Sequence, residues 1–114
     1  MKVVNYKDVE ELPVDMEGVK DTYIRWLITD HDGAPNFAMR LFRIKPTGHT
    51  PYHKHPYEHE VFVLSGKGRF LFEGKEYEIE GGSVVFVDPD KKHQFVNVSE
   101  TEEFKFICVI PIQK

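Results

Sequence analysis

Cysteine is almost absent from this chain. One residue, Cys108, stands among 114, so no disulfide framework can close within it. No apolar run approaches the roughly 20 residues that cross a bilayer. The opening Met1-Lys2-Val3-Val4-Asn5-Tyr6-Lys7 lacks an apolar core followed by a small-residue cleavage site. These absences predict a soluble, cytoplasmic protein with no membrane partner. Basic runs and stripes are missing too. The formal net charge is −4, with both signs interspersed, which argues against a nucleic-acid partner. Glycine-rich phosphate loops, base–nucleophile pairs, internal repeats and low-complexity tracts are likewise lacking.

Aromatic and aliphatic residues are plentiful. Apolar residues make up 40% of the chain, including nine Phe, five Tyr and one Trp, enough for a real core in one domain. Their arrangement has the period of strands. Tyr23–Ile28 and Phe37–Ile44 are apolar runs of strand length, separated by a turn composition at 29–35. Glu60–Leu64, Ser65-Gly66 and Lys67–Phe72 read as strand, turn, strand, and Glu73-Gly74 marks another hairpin. Ser83–Val87 is a continuous apolar run and reads as a buried strand. In the last run, Phe104, Phe106, Cys108 and Ile110 share one face by period-2 alternation. Many short strands at regular spacing predict an all-β sandwich or barrel over 21–114. Residues 1–20 form an N-terminal arm, with room for at most a helical turn near 7–20. That arm could add a strand to a neighbouring copy, and the chain is expected to be a homodimer.

Four of the six histidines fall at two loci. His53, His55 and His59 lie within His53-Lys54-His55-Pro56-Tyr57-Glu58-His59, and His93 follows the run 83–87 and the turn Asp88-Pro89-Asp90. Residues two apart on an extended strand face the same way, so His53 and His55 can enter one lumen, although Pro51 and Pro56 limit that strand. Barrel closure can then bring in His93. Imidazole is the commonest ligand of mid-row divalent metals, and His53, His55, His59 and His93 are the predicted metal ligands. Without a thiolate the set does not suit a closed structural zinc site. His31 reads as an exposed turn residue and His49 as a loop residue. Arg40, Phe106 and Cys108 are candidate pocket residues if their strands turn them inward. Phe106 and Trp26 otherwise read as core or interface aromatics.

These residues resemble the two signature motifs of the cupins, small jelly-roll β-barrels with a metal in the lumen. The first motif, G-x5-H-x-H-x3,4-E-x6-G, is matched by His53, His55 and Gly66, with His59 in the glutamate slot and Gly48 one residue late for the first glycine. Glu60 fits only the longer spacing, and as the neighbour of an inward His59 it is expected to face away. The second, G-x5-P-x-G-x2-H-x3-N, is matched by Gly82, His93 and Asn97, while Asp88 and Asp90 depart at turn positions. The resemblance covers about residues 37–112 and implies a cupin jelly-roll barrel. It is similar to a four-histidine subgroup of small cupins, which implies one divalent metal per chain. Manganese is favoured, with Fe, Zn, Ni, Co and Cu as alternatives. The implied activity is a metal-dependent oxygenase or related oxidoreductase acting on a small organic molecule. A non-catalytic module that binds a small ligand or a metal, and a metal-dependent sugar isomerase or epimerase, are the alternative expectations.

Overall fold

The computed structural model describes residues 1–113. Lys114, the last residue of the expected barrel segment, lies outside the described residues. A 3-10 turn at Tyr6–Asp8 is capped by Asn5, whose side chain accepts the Lys7 N–H at 3.0 Å. Nine strands follow: β1 (Glu11–Pro13), β2 (Lys20–Ile28), β3 (Phe37–His49), β4 (His59–Ser65), β5 (Lys67–Phe72), β6 (Lys75–Glu80), β7 (Val84–Val87), β8 (His93–Asn97) and β9 (Phe104–Pro111). A second 3-10 turn at Asp30–Asp32 joins β2 to β3. Thr29 and Asp32 form a reciprocal capping box there, and Gly33 ends the turn in the left-handed region at φ 91°. No α-helix occurs among the described residues.

The strands run antiparallel in the order β6-β5-β8-β3-β9-β4-β7, and β2 pairs with β3 and carries β1. The long strand β3 makes the sheet curl. Its residues 37–44 pair with β9, whereas His49 pairs with Val96 of β8. Between them Thr47 adopts φ 64° and donates its N–H to the Ser99 carbonyl at 3.0 Å. One strand thereby serves two walls, and the all-β barrel expected from the sequence forms.

Alternation then fills the interior. Ala38 and Ile44 of β3, Val61 and Val63 of β4, Phe70 of β5, Phe95 of β8 and Phe104, Phe106, Cys108 and Ile110 of β9 make one buried cluster. Phe106 stacks on Phe95 and Phe42 with ring centroids 4.4 and 5.0 Å apart. Asn97 is fully buried among them. Its side-chain amide donates to the Ile44 and Glu102 carbonyls at 3.0 and 2.8 Å, and its oxygen accepts the Ser99 N–H at 2.9 Å. This side chain ties β8 to β3 and closes the 98–103 turn, with every polar atom satisfied.

The hairpin between β5 and β6 turns at Glu73 and Gly74, both with positive φ (46° and 81°), which matches the right-handed twist of the strands it joins. Two expectations are corrected. The run 83–87 is not a buried strand: β7 is the last strand in the order, and Val84 and Phe86 are exposed on its outer face. Among the described residues nothing packs on this outer face of the barrel wall, as Phe62 and Leu64 of β4 also show, while Val87 on the inner face is fully buried. The arm forms no α-helical turn; its 3-10 turn lies at Tyr6–Asp8, and Pro13 sits in β1. Within the chain β1 pairs with β2, pinned by Arg43, which donates to both carboxylate oxygens of Glu11 at 3.0 and 2.7 Å and also pairs with Glu103.

Candidate functional site: a histidine cluster in the barrel lumen

The four predicted histidines line one cavity, and three of them, His53, His55 and His93, form a group with metal-ligand spacing that does not include His59. His59 starts β4 and His93 starts β8, both buried and inward. His53 and His55 come from the loop between β3 and β4. They do not lie on the extended strand expected from the sequence: residues 50–58 form no strand, and only an isolated bridge pairs His53 with His93. Two mutual backbone hydrogen bonds, 2.9 and 3.1 Å long, hold that bridge. Pro51 and Pro56 cannot donate to a ladder, which keeps the segment out of the sheet.

Ligand atoms of His53, His55 and His93 all lie within 4.8 Å of one another. His53 Nε2 and His55 Nε2 are 3.1 Å apart, and His59 Nε2 lies 2.7 Å from His55 Nδ1. The His59 ring stacks on His55 with centroids 4.5 Å apart and stands 5.2 Å from His93. His93 Nδ1 donates to the Lys91 carbonyl at 2.9 Å, which leaves Nε2 as the lone-pair nitrogen. Two nitrogens bound to one ion at about 2.1 Å and at right angles lie about 3 Å apart. The His53–His55 spacing therefore fits a shared ion, and so does a donor set of neutral imidazoles with no carboxylate among them.

Electrostatics keep the cluster unprotonated. Burial holds His59 well below the usual imidazole value, at about 2, helped by the Arg40 guanidinium and the other histidines. His55 is lowered to about 4, first by burial and then by His53, His93 and Arg40. His53 is lowered by burial, His93 and Arg40, and His93 by burial against the opposing Lys91 carbonyl bond. A folded-state value below the unfolded one means that acid favours unfolding. In metal-free protein, stability should be constant above pH 6.5 and fall progressively below it, as the unfolded chain takes up protons that the folded cluster refuses. The loss from His59 alone should be on the order of 1–2 kcal/mol by pH 5, a drop in Tm of about 5–15 °C. Thermal melts of chelator-treated protein from pH 8 to pH 4 measure it; a flat Tm between pH 7 and pH 5 would contradict this picture.

The candidate pocket residues are also resolved by strand parity. Arg40, Phe106 and Cys108 all point inward and line one cavity of about 410 Å³ with the four histidines. Arg40 sits opposite Cys108 in the β3–β9 register and Trp26 opposite Arg40 in the β2–β3 register. Cys108 Sγ lies 3.0 Å from Arg40 Nη2 and 3.1 Å from His59 Nδ1. Burial pushes the Cys108 thiol up, against the pull of Arg40. Glu60, beside His59, is exposed, in line with its expected outward direction. His49 is not a loop residue: it ends β3, half-buried, against the Gln94 side-chain amide. Trp26 is a cavity-wall residue rather than core, a role its place in an apolar strand could not reveal. Tyr57, stacked on His55 at 4.8 Å, also lines the cavity; its position inside the histidine segment was the only sequence signal for it.

A curled antiparallel barrel with a histidine cluster in its lumen defines the class: jelly-roll barrels of the cupin type. A family model described as the cupin domain matches residues 40–110, and the chain belongs to the cupin family. It is similar to the polyketide cyclase RemF from Streptomyces resistomycificus, with 34% identity and a TM-score of 0.92, over 99% of this chain and 80% of that one. An oxalate-binding protein from Thermotoga maritima is 33% identical over 81 residues, 70% of this chain but only 64% of that protein. A sugar phosphate isomerase from Silicibacter pomeroyi shares the fold at 16% identity and a TM-score of 0.84, over 98% of this chain and 76% of that one. No helix among the described residues is long and apolar enough to cross a membrane.

Proposed function

We propose that the chain is a metal-dependent cupin enzyme that holds one divalent ion on His53, His55, His59 and His93, with manganese first among the candidates, and acts on a small conjugated carbonyl compound. The observation that carries this reading is the meeting of His53, His55 and His93, with ligand atoms within 4.8 Å of one another and His59 beside them, in a largely apolar cavity. An ion there would supply Lewis-acid polarisation of a carbonyl oxygen or, if redox-active, the means to use oxygen. The chain's own residues do the rest. Lys91 orients His93 through Nδ1, and Cys108 contacts His59 at its outer nitrogen, so two of the rings are held from behind. Trp26, Phe42, Phe106 and Ile24 exclude water and accept a flat apolar body.

The similarity to a polyketide cyclase over nearly the whole chain supports a redox-neutral carbonyl condensation. The oxygenase reading is supported by the all-imidazole donor set, which suits redox-active iron. A sugar would find few hydrogen-bonding partners on these walls, which weakens the isomerase reading. Incubating manganese-loaded protein with a linear β-triketone, while following dissolved oxygen and ring closure together, separates them. Ring closure without oxygen uptake is the expected result. Stoichiometric oxygen uptake would replace it with the oxygenase, and saturable binding without turnover would replace both with a binding module.

A further inference from the structure

Arg40 is a buried cation without a counter-ion. It is 9% exposed, and no ion pair among the described residues includes it. Its Nη2 donates to Cys108 Sγ, a weak acceptor, while its Nε is buried with no partner at all. The guanidinium carbon lies 5.0 Å from the Phe42 ring centre and 5.5 Å from that of Trp26, contacts that return only part of the cost of desolvating a charge. A barrel of this size offers many surface positions for an arginine. Placing one inside, unpaired, leaves an electrostatic deficit that an anion entering the cavity would relieve.

The surroundings narrow the anion further. Arg40, Trp26 and Tyr57 line both the histidine cavity and an adjoining one of about 500 Å³, so the charge stands where two spaces meet. Cys108 bridges Arg40 to His59, which puts the guanidinium within two contacts of the histidine cluster. Leu12 and Met16 of the arm and Ile24 of β2 complete the wall beside Trp26 and Phe42. A dianion of a few atoms would leave this apolar volume unfilled. A flat ring bearing one carboxylate would fill it and pair with Arg40.

Resting on the proposed function for the site's location, and deepening it, we propose that Arg40 is the anchor for a planar aromatic or conjugated carboxylate, whose ring lies along Trp26 and Phe42. Guanidinium suits this role because its planar fork takes a carboxylate through two parallel hydrogen bonds while its face stays on the aromatic rings.

The test compares trans-cinnamate with cinnamyl alcohol, a neutral analogue of like shape, by isothermal titration. Quenching of Trp26, the chain's one tryptophan, marks the cavity as the place of binding. Cinnamate should bind at least tenfold tighter than the alcohol and tighter than oxalate, with Trp26 quenched. Arg40→Met should reduce cinnamate affinity at least tenfold, to the level of the alcohol, and leave the alcohol unchanged; Arg40→Lys should lose part of the preference. Equal binding of acid and alcohol to the unmodified protein would overturn the proposal without reference to any variant. So would undiminished cinnamate binding in folded Arg40→Met, and oxalate binding tighter than cinnamate would overturn the aromatic half. Repeating the titration after chelation, with Mn²⁺ uptake measured in Arg40→Met, separates the two readings. An Arg40-dependent preference without metal uptake leaves the anion anchor standing and removes the metal enzyme. Metal uptake without that preference does the reverse.

Discussion

On the proposed metal site, replacing His53 with alanine is expected to take the bound divalent metal from about one ion per chain to a small fraction of that. His53 shares the cluster with His55 and His93, with ligand atoms within 4.8 Å, and its loop position makes truncation easier to tolerate than loss of the more deeply buried His93. Even the outer partners of metal-ligating histidines cost about 10–100-fold in affinity when removed, so loss of a ligand should exceed 100-fold. Elemental analysis of protein purified without affinity nickel provides the measurement. His49→Ala serves as the control: that ring contacts Gln94 and Thr50 rather than the cluster, and its removal should leave metal content unchanged. Equal metal in the His53→Ala and intact proteins would refute the assignment. The depressed imidazole values carry a further consequence. Protons compete with metal only at lower pH than the ordinary value of about 6.5 implies, so binding should persist in mildly acidic solution.

Gly66→Ala should be the most destabilising glycine substitution in the chain. Gly66 has φ 92°, and a Cβ there would lie 2.4 Å from the Glu103 carbonyl oxygen and 3.0 Å from Phe104 Cα. Both are backbone atoms at the entry to β9, so neither can swing aside. The left-handed penalty for an L-residue is about 1–2 kcal/mol, and overpacking adds about 1–3 kcal/mol. A total of about 2–5 kcal/mol would lower Tm by roughly 10–30 °C. Gly82 is a useful contrast. Its φ is 95°, but an added Cβ meets nothing within 4 Å, so Gly82→Ala should cost only the backbone term. Thermal unfolding of the two variants side by side tests this, and equal Tm values would mean that the close approach at Glu103 does not matter.

Both glycines were visible in the sequence as motif positions, yet nothing in the sequence separated them. The crowding around Gly66 comes from residues 103 and 104, nearly forty positions away along the chain. The same limit applies across the site. Period-2 alternation is local, and it correctly aligned Phe104, Phe106, Cys108 and Ile110 on one inward face. Parity also set His59 inward and Glu60 outward, because neighbouring strand residues oppose each other. The apolar run at 83–87 misled because apolar residues on an uncovered outer face, such as Val84 and Phe86, read like those of a strand buried on both faces.

The residue types and spacing in the sequence were sufficient to determine an all-β barrel, the members of the histidine cluster and the turn at Glu73-Gly74. Only the tertiary structure decided that Arg40, Cys108 and His59 touch, that Trp26 lines their cavity, and that His53 meets His93 from a loop. Alternation specifies which side of its own strand a residue occupies. It carries no information about which strand will lie alongside or in what register, and those are settled by how the whole sheet closes around its core.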